Sequence, residues 1–76
     1  MAYERIRQLR EDSDRTQRQI ANLLYVSQQT YSSYENGVST PSPDILIALA
    51  KIHRTSVDYI LGLTDDPRPP ERSKRK

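Results

Sequence analysis

Hydroxyl side chains suited to helix N-caps recur along the chain at Thr16, Ser27, Ser42 and Ser56, with little room between them. The segments they delimit carry apolar residues at helical spacing, and the alternation of a half-buried strand is absent. A chain punctuated so closely can only pack short helices side by side. Thr16 has Gln19 three residues on, the pattern of a capping box. Val26 and Tyr31 flank Ser27 at the N′ and N4 positions of a hydrophobic staple. Pro43 follows Ser42 at the first helical position, where its missing N–H is harmless. Asn36-Gly37 and Gly62 supply stops, because glycine takes the left-handed conformation at no steric cost.

The spacing predicts a first helix over 2–11 with Ala2, Ile6 and Leu9 inward, interrupted at Ser13-Asp14. A second opens at Thr16 and buries Ile20, Ala21, Leu23 and Leu24, stopping near Tyr25. The third covers about 28–35, with Tyr31 and Tyr34 on one stripe. Ile45, Leu46, Leu49, Ala50 and Ile52 make the fourth the most apolar, and a short fifth includes 58–61. The expected fold is all-α, a five-helix bundle. With no Phe or Trp in the chain, Tyr25, Tyr31, Tyr34 and Tyr59 are read as core residues in their place.

Every apolar residue falls within 1–63, so the folded domain is assigned there and 64–76 is read as a disordered basic tail. Within 1–64 seven Lys/Arg face seven Asp/Glu, and the formal charge of +2 sits in the tail, with Arg72, Lys74, Arg75 and Lys76. That cluster is read either as a source of non-specific affinity for a polyanion or as a solvated aid to solubility. In a chain of 76 residues the core is small, and the absence of Cys removes disulfides and thiolate metal sites. The longest apolar run, 45–50, is too short to span a membrane. The opening MAYERIRQLR puts charges where a signal peptide needs its apolar stretch, so a cytoplasmic protein is expected. His53 is the single histidine, near the end of the fourth helix, and is read as a cation or a packed neutral ring. With two glycines there is no phosphate-cradling loop, and neither a cofactor, a metal site nor an enzyme activity is expected.

The informative segment is 16–37, TQRQIANLLYVSQQTYSSYENG. Two short helices joined through Leu24-Tyr25-Val26 must cross at a large angle, as in a helix-turn-helix. On the second of them, Gln28, Gln29, Ser32, Ser33 and Asn36 point away from Tyr31 and Tyr34. Most solvated helix faces carry Lys, Glu and Arg; this one carries amides and hydroxyls, the groups that read base edges. An ordinary amide-rich surface helix is the other reading of the same pattern.

Residues 1–63 resemble the helix-turn-helix domain of the lambdoid phage repressor and Cro (XRE-type) family. The resemblance rests on IRQLRE, TQRQIANLL, VSQQTYSSYENG, PSPDILIALAKI and SVDYILGL, in that order. It implies five helices with the third as recognition helix in the major groove. By the same resemblance, Gln28, Gln29 and Ser33 stand at base-reading positions; Thr30 and Ser32, hydroxyls on the same helix, are further candidates for base contact. Gln17 and Asn36 stand where family members contact phosphate. Arg15 and Arg18 flank the start of the second helix and are candidates for phosphate, as is Thr40, with Ser39, in the loop; Arg5 and Arg7 are weaker ones. Arg10 and Glu35 match an ion pair that aims the recognition helix in some members. Asp14, Tyr25 and Arg54 depart from the family, which often places Gly or Asn at φ > 0 there; Arg15 and His53 replace commonly apolar residues.

The implied function is sequence-specific binding of double-stranded DNA by a transcriptional regulator, a repressor that occludes a promoter. On this reading the 76 residues are the whole device and act as a homodimer on a palindromic operator, meeting around Tyr59, Leu61 and Leu63. The alternative is a protein-interaction module on the same fold, such as an antitoxin or polymerase-contacting adaptor. The near-zero charge of 1–64 keeps that alternative open.

Overall fold

Four helix starts are held by the hydroxyls that mark them. Oγ1 of Thr16 accepts from the N–H of Gln19, and the Oγ atoms of Ser27, Ser42 and Ser56 accept from the N–H groups of Thr30, Ile45 and Tyr59. At Thr16 the capping box is complete, since its own N–H donates to Gln19 Oε1 at 2.8 Å. The computed structural model describes residues 3–69. Ala2 and the tail residues Arg72, Lys74, Arg75 and Lys76 lie outside them.

The helices are α1 (Glu4–Asp12), α2 (Gln17–Leu24), α3 (Gln28–Asn36), α4 (Pro43–Ile52) and α5 (Val57–Leu61). Among the described residues there are no strands. α2 packs chiefly on α3 and α4 on α5, while α1 lies against both α3 and α5. All five helices contribute to one core, in which Ile6, Ile20, Tyr31, Leu49 and Ile60 are the largest fully buried side chains. Each such burial is worth about 1.5–3 kcal/mol, which is how helices too short to persist alone are held. Tyr31 and Tyr34 meet edge to face, with ring centroids 6.5 Å apart.

Two sequence expectations need correction. Leu23 is about half exposed, because Ile20, Ala21 and Leu24 fill the inward stripe of α2 and leave Leu23 at its edge. Tyr25 is no core residue: it is 95 % exposed. It caps α2 in the left-handed conformation, φ 60° and ψ 38°, which throws its side chain outward. Asp14 and Arg54 also adopt positive φ, 59° and 55°. The chain therefore keeps the backbone of those turns without the glycine or asparagine that makes it cheap.

Candidate nucleic-acid interface

The joint between α2 and α3 is Tyr25-Val26-Ser27. The N–H of Val26 returns to Ala21 O at 3.0 Å, so α2 ends abruptly and α3 starts on a new axis under the Ser27 cap. α3 turns Tyr31, Tyr34 and Glu35 inward, the spacing of one helical stripe. Its other side is left outward, and Gln28, Gln29, Ser32, Ser33 and Asn36 line one open depression there, about 570 Å³ in volume. Gln17 from the first turn of α2 and Val38 from the loop beyond Gly37 complete the lining. No charged side chain lines it.

The structure thus brings Gln17, Gln28, Gln29, Ser32, Ser33 and Asn36 together on one surface. Thr30 lies beside it, its Oγ1 accepting from Ser27 Oγ at 2.9 Å. Arg18 and Thr40 are exposed, Arg15 is half-buried, and none of the three lines the depression. Arg5 is committed elsewhere. Its guanidinium donates to Tyr59 O at 2.8 Å, Thr64 O at 2.6 Å and Asp65 Oδ1 at 2.7 Å, and sits 4.1 Å from the centre of the Tyr59 ring. That ties α1 to the end of α5 and removes Arg5 from the phosphate candidates. Val38 was missed by sequence reasoning; its place just after Asn36-Gly37 was the available signal.

Behind the depression is a buried polar cluster centred on Glu35, which is 4 % exposed. Arg10 grips its carboxylate with two N–H groups, Nε to Oε2 at 2.7 Å and Nη2 to Oε1 at 3.2 Å. Tyr31 donates its hydroxyl to Oε2 at 2.6 Å, and Gln17 donates Nε2 to Oε1 at 3.1 Å. Arg10 also donates Nη1 to the carbonyl of Arg15 at 3.1 Å, fixing the loop before α2. Burial by itself would raise the Glu35 carboxyl; the bonds from Arg10, Tyr31 and Gln17 outweigh it and hold the group below its ordinary range. The Arg10 guanidinium is pushed up by its bond to Glu35, against the opposing effect of burial. Burial and the bond to Glu35 push the Tyr31 phenol up, so it remains a donor. Three helices, α1, α2 and α3, meet on one carboxylate.

The hydroxyls of the outward face are themselves ordered. Ser33 donates Oγ–H to the carbonyl of Thr30 at 2.6 Å, and Asn36 donates Nδ2 to Ser32 Oγ at 3.2 Å. Gln28 and Gln29 make no side-chain hydrogen bond among the described residues. No group of His, Cys, Asp and Glu among the described residues could hold a metal ion. No described helix is long and apolar enough to cross a membrane.

A helix-turn-helix family model matches residues 6–60. The chain belongs to the helix-turn-helix family. Three similar proteins carry names consistent with that assignment. The uncharacterized HTH-type transcriptional regulator YobD of Bacillus subtilis is 44 % identical over 91 % of this chain and 62 % of its own length. HTH-type transcriptional regulator DicA of Escherichia coli is 38 % identical over 87 % of this chain and 49 % of its own. HTH-type transcriptional activator BcrR of Enterococcus faecalis is 34 % identical over 78 % of this chain and 29 % of its own. The chain therefore spans between 29 % and 62 % of the length of these relatives, less than two thirds of each. No solved structure matches it significantly. Two of these relatives are named as transcriptional regulators and one as a transcriptional activator. The family assignment accords with the resemblance drawn from the motifs above.

Proposed function

We propose that this helix-turn-helix chain is a sequence-specific reader of duplex DNA that represses transcription by occluding a promoter, with α3 in the major groove. The observation that carries this reading is the uncharged outward depression shared by Gln17, Gln28, Gln29, Ser32, Ser33 and Asn36. Gln28 and Gln29, free of internal bonds, suit the bidentate amide contact to adenine N6 and N7. Gln17 gives one amide hydrogen to Glu35 and keeps a second for a phosphate oxygen, bridging two acceptors. Arg18 is exposed at the start of α2, where the helix N-terminus also favours an anion. Arg15, Asn36 and Thr40 supply further phosphate contacts in this reading, and Thr30 a further base contact. The Arg10–Glu35 pair, 2.7 Å at its closest, fixes the angle of α3 against α1.

The chain acts as a homodimer on a palindromic operator in the cytoplasm. Leu63, 74 % exposed beyond the end of α5, is the apolar residue placed to meet a second copy. Tyr59 is taken by Arg5 and Leu61 packs against the core, so the contact narrows to Leu63 and its surroundings.

Selection from a random duplex library at roughly 150 mM salt, where non-specific binding is weakened, tests the reading. A two-fold palindrome is expected. Gln28→Ala or Gln29→Ala then costs about 1–3 kcal/mol at its own position and relaxes the preference there. An unchanged dissociation constant in Leu63→Asp would remove Leu63 from the dimer contact. Loss of all enrichment would instead favour a protein-interaction role for the same fold. A promoter-reporter assay gives the sign of regulation: reduced transcription is expected, and increased transcription would make the chain an activator.

A further inference from the structure

Two adjacent serines on the outward side of α3 are wired in opposite senses. A backbone carbonyl has no proton to give, so the 2.6 Å contact between Ser33 Oγ and Thr30 O fixes Ser33 as the donor. Its single hydroxyl proton is thereby spent inside the helix, and what it offers to the depression is lone pairs alone. Ser32 is the reverse case: its Oγ accepts from Asn36 Nδ2, so its own proton is left to donate outward. Both serines line the depression, and both are half-buried.

In the major groove the donors are the exocyclic amino groups, adenine N6 and cytosine N4; guanine O6 and N7, adenine N7 and thymine O4 are acceptors. We infer that Ser33 recognises an exocyclic amino group, adenine N6 or cytosine N4, by accepting its hydrogen bond while its own proton stays on Thr30 O. This rests on the DNA-reading proposal and adds a chemical class of partner atom to one position of it. For Ser33 to serve an acceptor instead, it would first have to surrender the bond to Thr30. Ser32, with its proton free, is suited to a base acceptor or a phosphate oxygen, so neighbouring positions of one helix turn ask for opposite groups.

The experiment uses the full 76-residue chain and its own selected operator. Selection is repeated with Ser33→Ala, a change that favours helix and touches no core residue. The base pair whose preference weakens is then synthesised in two altered forms. One lacks the exocyclic amino group, as purine in place of adenine or 2-pyrimidinone in place of cytosine. The other has the purine N7 replaced by C–H. Dissociation constants are measured for the parent and for Ser33→Ala on each duplex. Removing the amino group is expected to weaken the parent about fivefold, the worth of one net hydrogen bond, and to leave Ser33→Ala unchanged. The C–H replacement is expected to act equally on both proteins. Ser33→Thr, which keeps a hydroxyl able to bond the preceding turn, restores sensitivity to the amino group. The inference is overturned if the parent loses affinity specifically on the N7 replacement, or if no pair of the operator depends on Ser33. A parent that enriches no operator at all overturns the DNA-reading proposal together with it.

Discussion

Tyr25 holds a left-handed backbone with its ring in solvent, and that combination has a measurable cost. An L-residue at such φ and ψ costs roughly 1–2 kcal/mol, and glycine is excused from it at the expense of some extra chain entropy. Tyr25→Gly is therefore expected to stabilise the fold by roughly 1 kcal/mol, raising the thermal midpoint by several degrees in a domain this small. An unchanged or lower midpoint would show that the exposed ring makes contacts worth as much as the strain. Tyr31 is the converse case, a fully buried ring whose hydroxyl meets Glu35 Oε2 at 2.6 Å. Tyr31→Phe keeps the packing and deletes one bond to a charged group, so chemical denaturation should report a loss of about 2 kcal/mol. Sequence placed Tyr31 and Tyr25 in the same class of apolar fillers. What separates them is backbone conformation, since positive φ at a helix end sends a side chain out whatever its hydropathy.

The α2–α3 unit depends on α1 as much as on its own two helices, because Arg10 reaches across to the carboxylate that Gln17 and Tyr31 also hold. Arg10→Ala and Glu35→Ala should each cost about 3 kcal/mol, more than Tyr31→Phe, since each leaves a largely buried opposite charge or several donors unmatched. In this reading DNA affinity falls with them even below the melting transition, because α3 loses its bearing on α1; unchanged affinity in the folded variants would count against an aiming role. Much of this architecture was legible in the sequence. Caps at Thr16, Ser27, Ser42 and Ser56 mark real helix starts, and the uncharged outward residues of α3 do form one surface. The Glu35 cluster was legible only in part. The resemblance paired Arg10 with Glu35, while Tyr31 was read as packing alone, although its place four residues before Glu35 puts both on one inward stripe. Nothing in the one-dimensional pattern shows that Gln17 bends inward, because an amide near a helix start is equally at home in water. Arg5 was misjudged for a related reason: a surface arginine's partners lie at sequence separations no local pattern reaches.

The whole domain should respond to acid in two separate stages. His53 is half-buried, with Nε2 lacking a hydrogen-bond partner among the described residues, and burial together with the nearby Arg15 pushes its pKa down. Its folded value thus lies below the unfolded value of about 6.5, so its contribution is complete above that pH and is lost as pH falls through the folded value. Glu35, held below its ordinary range, contributes fully above the unfolded value of about 4.3 and loses that contribution only at still lower pH. Denaturation midpoints across this range should fall in both windows. His53→Gln should flatten the upper stage and leave the lower one, whereas an upper stage unchanged by that substitution would assign it to other groups. The Arg5 bracket carries a different consequence, one of timing. Its bond to Asp65 spans 60 residues of chain, and closing so long a loop costs roughly 3–4 kcal/mol in entropy before any contact repays it. A ribosome delivers α1 early, yet its guanidinium has no carbonyls to grip until Tyr59 and Thr64 have been synthesised. α1 is therefore fastened in two steps: Arg10 can meet Glu35 as soon as α3 has been made, while the Arg5 end stays loose until the last turn of α5 and the residues beyond it arrive.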